Sequence, residues 1–384
     1  MRAPLLQWIG APLAALWLLA ACAPLQPQVV SERGAPAAPV PASAPPAPAV
    51  AAPPSAETET ETETEILAQA DEAAGRLPRA MKLIRTEGRL PSDPVAKASN
   101  AAKADWYAMY ALALAARLRP ASGYGPALEQ YFAAWVTVFQ PQFNPISESQ
   151  FHWVALAYAV GRSELSPTTA ALTTTLFRQM AEGYLRPPRD PGTLTNNWQS
   201  HRVKLAAMLA FALDDADLIA RSRAAFQKQL GDNIGRDGAV IDFWQRDALH
   251  YTTYSLEPLL TAALVAQTRG EDWYALVGSN GVTLERALKW LAPYAGGKKQ
   301  HEEFVRSSQA FDRTRAAAGV PGFSGLWDPR GAANCYQIAA RLQRGWIPLA
   351  VWLGPQAAWL EQGFPAPAVA AARAALLSSG QAIR

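Results

Sequence analysis

From about residue 66 onward the chain consists of Ala-rich segments whose apolar positions recur every three to four residues, broken by Pro and Gly. That period lines the apolar side chains along one face of an α-helix. It predicts helices over 66–77, 101–118, 126–139, 150–160, 168–184, 198–213, 218–230, 248–266, 284–291, 332–342 and 367–378. Residues suited to capping precede several of these runs: Ser99 and Asn100, Ser166, Asn197, and Asp214 with Asp215. Alternation of β-branched residues is scarce. Only 239–243 reads as a short strand, after the turn Gly235-Arg236-Asp237-Gly238. No segment repeats at a fixed period. An all-α domain over 66–384 is expected. Irregular spacing and abundant aromatic residues favour an α/α barrel, a closed toroid of helical hairpins around a central groove, over a solenoid or a bundle.

The first 65 residues break this pattern. Arg2 and a short apolar run ending in small residues read as a signal peptide over 1–21. The run falls short of the roughly 20 residues that a membrane span needs. Leu19-Ala20-Ala21-Cys22 resembles the lipobox of bacterial lipoproteins, in which Cys22 would carry the lipid. Ala23, where an Asp would signal inner-membrane retention, points to the outer membrane, with the protein facing the periplasm. Residues 23–54 hold 10 Pro, and Pro favours an extended backbone. Residues 57–65 alternate Glu with Thr, and like charges on one face repel. A disordered tether over 22–65 is therefore expected. With Cys22 as anchor, Cys335 has no partner for an intrachain disulfide.

Charge follows the same division. Residues 1–65 carry Arg2 and Arg33 against six Glu, a net of −4, so the chain's +3 leaves +7 on the remainder. A basic module suits an anionic polymer. Half of the residues are apolar, which excludes a disordered chain, and two Cys exclude a disulfide scaffold. No HExxH, CxxC, P-loop or dinucleotide fingerprint is present, so no metal, cofactor or nucleic acid is expected.

Two polar segments interrupt the apolar pattern. The first is Thr195-Asn196-Asn197-Trp198-Gln199-Ser200-His201-Arg202, in which Asn197 and His201 are one helical turn apart. The second runs from Asp237 to Tyr254. Continued as one helix from Arg246, it would align Arg246, His250 and Tyr254 on one face and Asp247 with Tyr251 on the next. Either could instead be ordinary: an Asn capping a helix, or a surface ion pair with half-buried tyrosines.

Asn196-Asn197, then Asp237-Gly238, then Ala248-Leu249-His250-Tyr251 resemble, in order and spacing, the alginate lyase superfamily that includes polysaccharide lyase family 5. The run from Phe304 to Arg313 is similar to these proteins too. The resemblance spans about 101–340. It implies an α/α barrel and cleavage of acidic polysaccharide by β-elimination. Trp198 stands where the family has a His, and the nearest imidazole is His201. The family's Arg position falls on Trp244, with Arg246 the nearest Arg. Thr252 stands where a His usually follows the Tyr.

β-Elimination from a uronate needs a neutralised carboxylate, a base for the C5 proton and an acid for the departing O4. Asn197 and Arg246 fit the first need, His201 the base, and Tyr251 the acid or both proton transfers. His250 and Tyr254 stand in reserve. Aromatic faces stack on sugar rings, so Trp198 and Trp244 beside the polar segments, with Asn196, are substrate-binding candidates. Arg306 and Arg313 join them from the basic cluster Lys298, Lys299, Arg306, Arg313 and Arg315. The expected partners are an acidic polysaccharide and, through the anchor, a membrane; a monomer is expected. Two other readings remain open: a non-catalytic polysaccharide-binding lipoprotein of an exopolysaccharide system, and an inverting glycoside hydrolase using two of Asp242, Asp247 and Glu257.

Overall fold

A computed structural model describes residues 56–188 and 190–378, and it is all-α over that range. The signal peptide, Cys22 and the Pro-rich part of the tether lie outside the described residues. The helices in chain order are α1 (Ala56–Ala74), α2 (Pro94–Leu118), α3 (Tyr124–Val138), α4 (His152–Gly161), α5 (Pro167–Leu185), α6 (Asn197–Leu213), α7 (Ala216–Asn233) and α8 (Ile241–Arg246). There follow α9 (Leu249–Thr268), α10 (Leu284–Ala295), α11 (Ala310–Ala317), α12 (Ala333–Leu342), α13 (Ile347–Trp352), α14 (Ala358–Gly363) and α15 (Pro367–Ser378).

Helices α2, α4, α6, α9 and α12 pack each on the next and form the inner layer of an α/α toroid. Helices α3, α5, α7 and α10 pack outside them, and α14 returns against α1 and α2. The inner helices α6 and α9 are apolar on nearly every side, as helices enclosed by others must be. Polar residues on them are therefore conspicuous, and these define the site below.

Local chemistry sets the helix ends. Ser166 caps α5 by accepting from Thr169 N–H, and Asp215 caps α7 by accepting from Leu218 N–H. Asp93, with Pro94 behind it, starts α2 well before Ser99 and Asn100, which lie inside that helix. The cap of α6 is Asn196, not Asn197.

Two further expectations fail. The short strand over 239–243 does not form. Val240 makes one isolated bridge to Ile234, and Ile241 already opens α8. The Glu-Thr segment is not tether but part of α1, whose register buries Thr62, Ile66 and Ala70. Gln362 Nε2 donates to Thr62 Oγ1 at 3.0 Å, and Tyr131 Oη donates to the Ala73 carbonyl at 3.0 Å. Packing against α2 and α14 outweighs the repulsion between glutamates.

Candidate active site

The first turns of α6 carry three polar layers. Asn196 accepts from Trp198 N–H at 3.1 Å and donates to the Gly192 carbonyl at 3.2 Å, so it is committed to capping. Asn197 is 3% exposed, and its Nδ2 donates to Asp242 Oδ1 at 2.5 Å. Asn233 Nδ2 lies 3.4 Å from the other oxygen of Asp242, and Ser255 Oγ donates to Asn233 Oδ1 at 3.1 Å. Burial pushes the Asp242 carboxyl up from its ordinary value; its hydrogen bond to Asn197 and the Arg246 charge pull the other way.

One turn on, His201 is 3% exposed and neither ring nitrogen has a hydrogen-bond partner among the described residues. Its ring lies 4.4 Å from that of Tyr254, centroid to centroid. Burial, then the nearby Lys204 and His152, hold its pKa well below the usual imidazole value, so the ring is neutral near pH 7. Below it, Lys204 Nζ lies 3.2 Å from His152 Nδ1. Burial lowers the Lys204 pKa and raises that of Glu257, which faces it electrostatically from α9.

The corner between α8 and α9 supplies the other wall. The helix expected over 248–266 forms as α9, but it does not continue back to Arg246: α8 ends at Arg246, Asp247 adopts a left-handed conformation at φ 51°, and α9 begins at Leu249. Asp is one of the few residues besides Gly that visit that conformation, and here Arg306 holds its carboxylate from 59 residues away. Arg246 thus leaves the face of His250 and Tyr254 and folds back, its guanidinium carbon 3.9 Å from the centre of the Tyr251 ring. Its Nη1 donates to Asp312 Oδ1 at 2.6 Å. The same oxygen accepts from Arg315 Nη1 at 2.9 Å, and Arg315 Nη1 also donates to Tyr251 Oη at 3.0 Å. Glu303 accepts from the N–H groups of Leu249 and His250, taking the place of a cap on α9. His250 Nε2 is buried without a partner among the described residues, and burial with Arg315 and Arg246 pushes its pKa down to about 4.

The remaining predicted binding residues lie nearer the surface. Trp198 packs on the aromatic cluster of Tyr251, Tyr254, Phe304 and Phe323. Trp244 is 66% exposed. The side chain of Arg306 is 81% exposed, yet its backbone N–H, Nε and Nη2 all donate to the Asp247 carboxylate, which they hold below the usual range. Arg313 is exposed. The basic cluster divides: Lys298, Lys299, Arg306 and Arg313 are exposed, whereas Arg315 is 2% exposed at the heart of the site. A cleft of about 600 Å³ lined by Glu87, Arg89, Asp93 and Phe311 adjoins it, and Arg315 stacks 4.6 Å from the Phe311 ring.

The structure therefore brings Asn197, His201, Arg246, Tyr251, His250 and Tyr254 together and leaves Trp244, Arg306 and Arg313 at the surface. Sequence reasoning missed Asp312 and the inward role of Arg315. Their spacing of three in a basic run was the only local signal. The carboxylates considered for hydrolysis are committed: Asp242 to Asn197, Asp247 to Arg306, and Glu257 beside Lys204.

A sequence profile of the family described as alginate lyase matches residues 49–301. The chain belongs to the alginate lyase family. A curated relative described as a polysaccharide lyase, from Stenotrophomonas maltophilia (strain K279a), is 34% identical over 127 residues. That stretch covers 32% of this chain and 37% of the relative, so the match spans little more than a third of the relative's length. The crystal structure of an alginate lyase from Bacteroides ovatus superposes with a TM-score of 0.62 at 15% identity, over 80% of this chain and 93% of that one. That likeness establishes the family's helical toroid as the fold of this chain.

Proposed function

We propose that this member of the alginate lyase family cleaves a uronate-containing acidic polysaccharide by β-elimination. The observation that carries the reading is one buried convergence. Helix α6 supplies Asn197 and His201, α9 supplies Tyr251 and Tyr254, and α8 and α11 supply Arg246 and Arg315. Buried polar atoms without partners are rare, and among the described residues both ring nitrogens of His201 are such atoms.

His201, neutral and unengaged, takes the C5 proton. The C5–H electrons become the C4–C5 double bond, the C4–O4 bond breaks, and Tyr251 passes its proton to O4; proton return from His201 to Tyr251 resets the site. One Asn197 N–H is spent on Asp242, and the second is free for the uronate carboxylate. The guanidinium group of Arg246 stabilises the enolate-like charge in a site shielded from water. Trp198, Trp244, Arg306 and Arg313 hold neighbouring sugars. The names of the relatives and the basic balance of the module support an anionic polymer. The protein works in the periplasm, exported by its signal peptide and anchored to the outer membrane through Cys22.

Trp198, standing where the family has a His, favours a second reading, binding of polysaccharide without turnover. One screen of alginate, glucuronan and hyaluronan separates them. Rising ultraviolet absorbance from 4,5-unsaturated ends supports the lyase. New reducing ends without that absorbance mean hydrolysis, and binding with neither means the inert lipoprotein.

A further inference from the structure

We infer that Arg315 is the positioning residue of Tyr251: it holds the phenol oxygen and so fixes the direction in which the hydroxyl proton leaves. This rests on the β-elimination reading for the use to which Tyr251 is put.

A phenol oxygen that accepts a hydrogen bond on one side must aim its own O–H elsewhere. Arg315 Nη1 occupies that accepting side at 3.0 Å. Arg315 cannot drift, because three contacts fix its fork. Asp312 Oδ1 accepts from Nη1 at 2.9 Å, and the rings of Phe311 and Phe323 lie 4.6 Å from its guanidinium carbon. Asp312 is itself pinned by Ser307 Oγ at 2.6 Å and by Arg246. Arg246 meanwhile covers the face of the Tyr251 ring. One carboxylate thus sets two guanidinium groups, one on the ring and one on the oxygen. Of the other ionisable groups nearby, His250 and Tyr254 flank Tyr251 on α9, and Glu87 faces Arg315 from the loop before α2. At 2% exposure Arg315 is enclosed by these groups, so its effect on the substrate passes through Tyr251.

Arg315→Ala is expected to lower kcat about 100-fold with KM unchanged, since displacing a reacting group by about 1 Å has an effect of that size. Added guanidinium ion should restore much of the loss, and ammonium at equal ionic strength should not. A raised KM at normal kcat, or a folded variant that guanidinium does not rescue, overturns the inference. If the Ala variant fails to fold by thermal melting, Arg315→Lys must show the same fall in kcat. A readout independent of turnover is the carbon-13 resonance of labelled Tyr251 at Cζ, assigned with Tyr251→Phe. It should move in Arg315→Lys, and an unmoved resonance overturns the inference. If the wild-type protein makes no unsaturated product from any uronate polymer, the lyase reading fails, and this resonance alone decides whether Arg315 holds the hydroxyl.

Discussion

Asn197, first residue of α6, is held by Asp242, near the start of α8 and 45 residues away, through a 2.5 Å hydrogen bond in a fully buried setting. Asp242 also lies within reach of Asn233, so its two oxygens orient two amides at once. Asp242→Asn replaces one acceptor by a donor that faces an amide N–H. The buried mismatch is expected to cost about 1–3 kcal/mol of stability. The amide of Asn197 then turns from the uronate, and product formation should fall as well. Denaturant melts and initial rates check both, and a destabilised variant with wild-type rates would show that Asp242 is only structural.

His201 predicts the opposite combination. Its ring is buried, and neither nitrogen has a partner among the described residues. His201→Leu conserves volume and removes both polar atoms. Stability is expected to hold or to rise by about 1 kcal/mol, since removing an unsatisfied buried polar group relieves a desolvation penalty. Activity is expected to disappear. A large loss of stability would mean that the ring has a structural partner in solution.

The contrast between these residues explains what could be read from sequence. Helix positions follow from local period, and caps such as Ser166 and Asp215 bond within three residues, so both are legible along the chain. The pairing of Asn197 with His201 is legible for the same reason. The corner at Asp247 is not, because its left-handed turn is set by Arg306, 59 residues on, and by the carbonyl bond from Phe304 N–H. Arg315 reaches Tyr251 across 64 residues, and nothing near either residue announces it. Buried polar pairs between distant helices depend on how the helices stack, and that lies beyond any local period.

The Glu-Thr segment was misread for a related reason, and α1 offers the test. Ile66 is fully buried where α1 meets its neighbours, and Tyr124 Oη donates to Asp71 at 2.6 Å. Ile66→Ala is expected to cost about 2–5 kcal/mol, the usual range for truncating a buried aliphatic side chain. Deleting residues 1–55 should leave the melting temperature unchanged, whereas deletion through residue 74 should lower it sharply. Equal melting of both truncations would mean that α1 contributes nothing to the fold.

Glu148 gives the clearest pH dependence. It is fully buried, accepts from Gln142 N–H at 2.7 Å and from the Tyr184 hydroxyl, and burial pushes its pKa up to about 7 from 4.5. A carboxyl whose folded pKa is raised binds more protons folded than unfolded between those two values. Its contribution is therefore fully present below about pH 4.5 and is lost as pH rises through about 7. Glu148→Gln removes the titration while keeping the shape. Relative to wild type, the variant should gain about 3 kcal/mol between pH ~4.5 and pH ~8. The buried neutral rings of His152, His201 and His250 act with the opposite sign below pH ~6.5, but they do so in both proteins and cancel in the comparison. Urea unfolding of both proteins at the two pH values reads the difference directly, and a gap that stays constant with pH would place the Glu148 carboxyl back at its ordinary value.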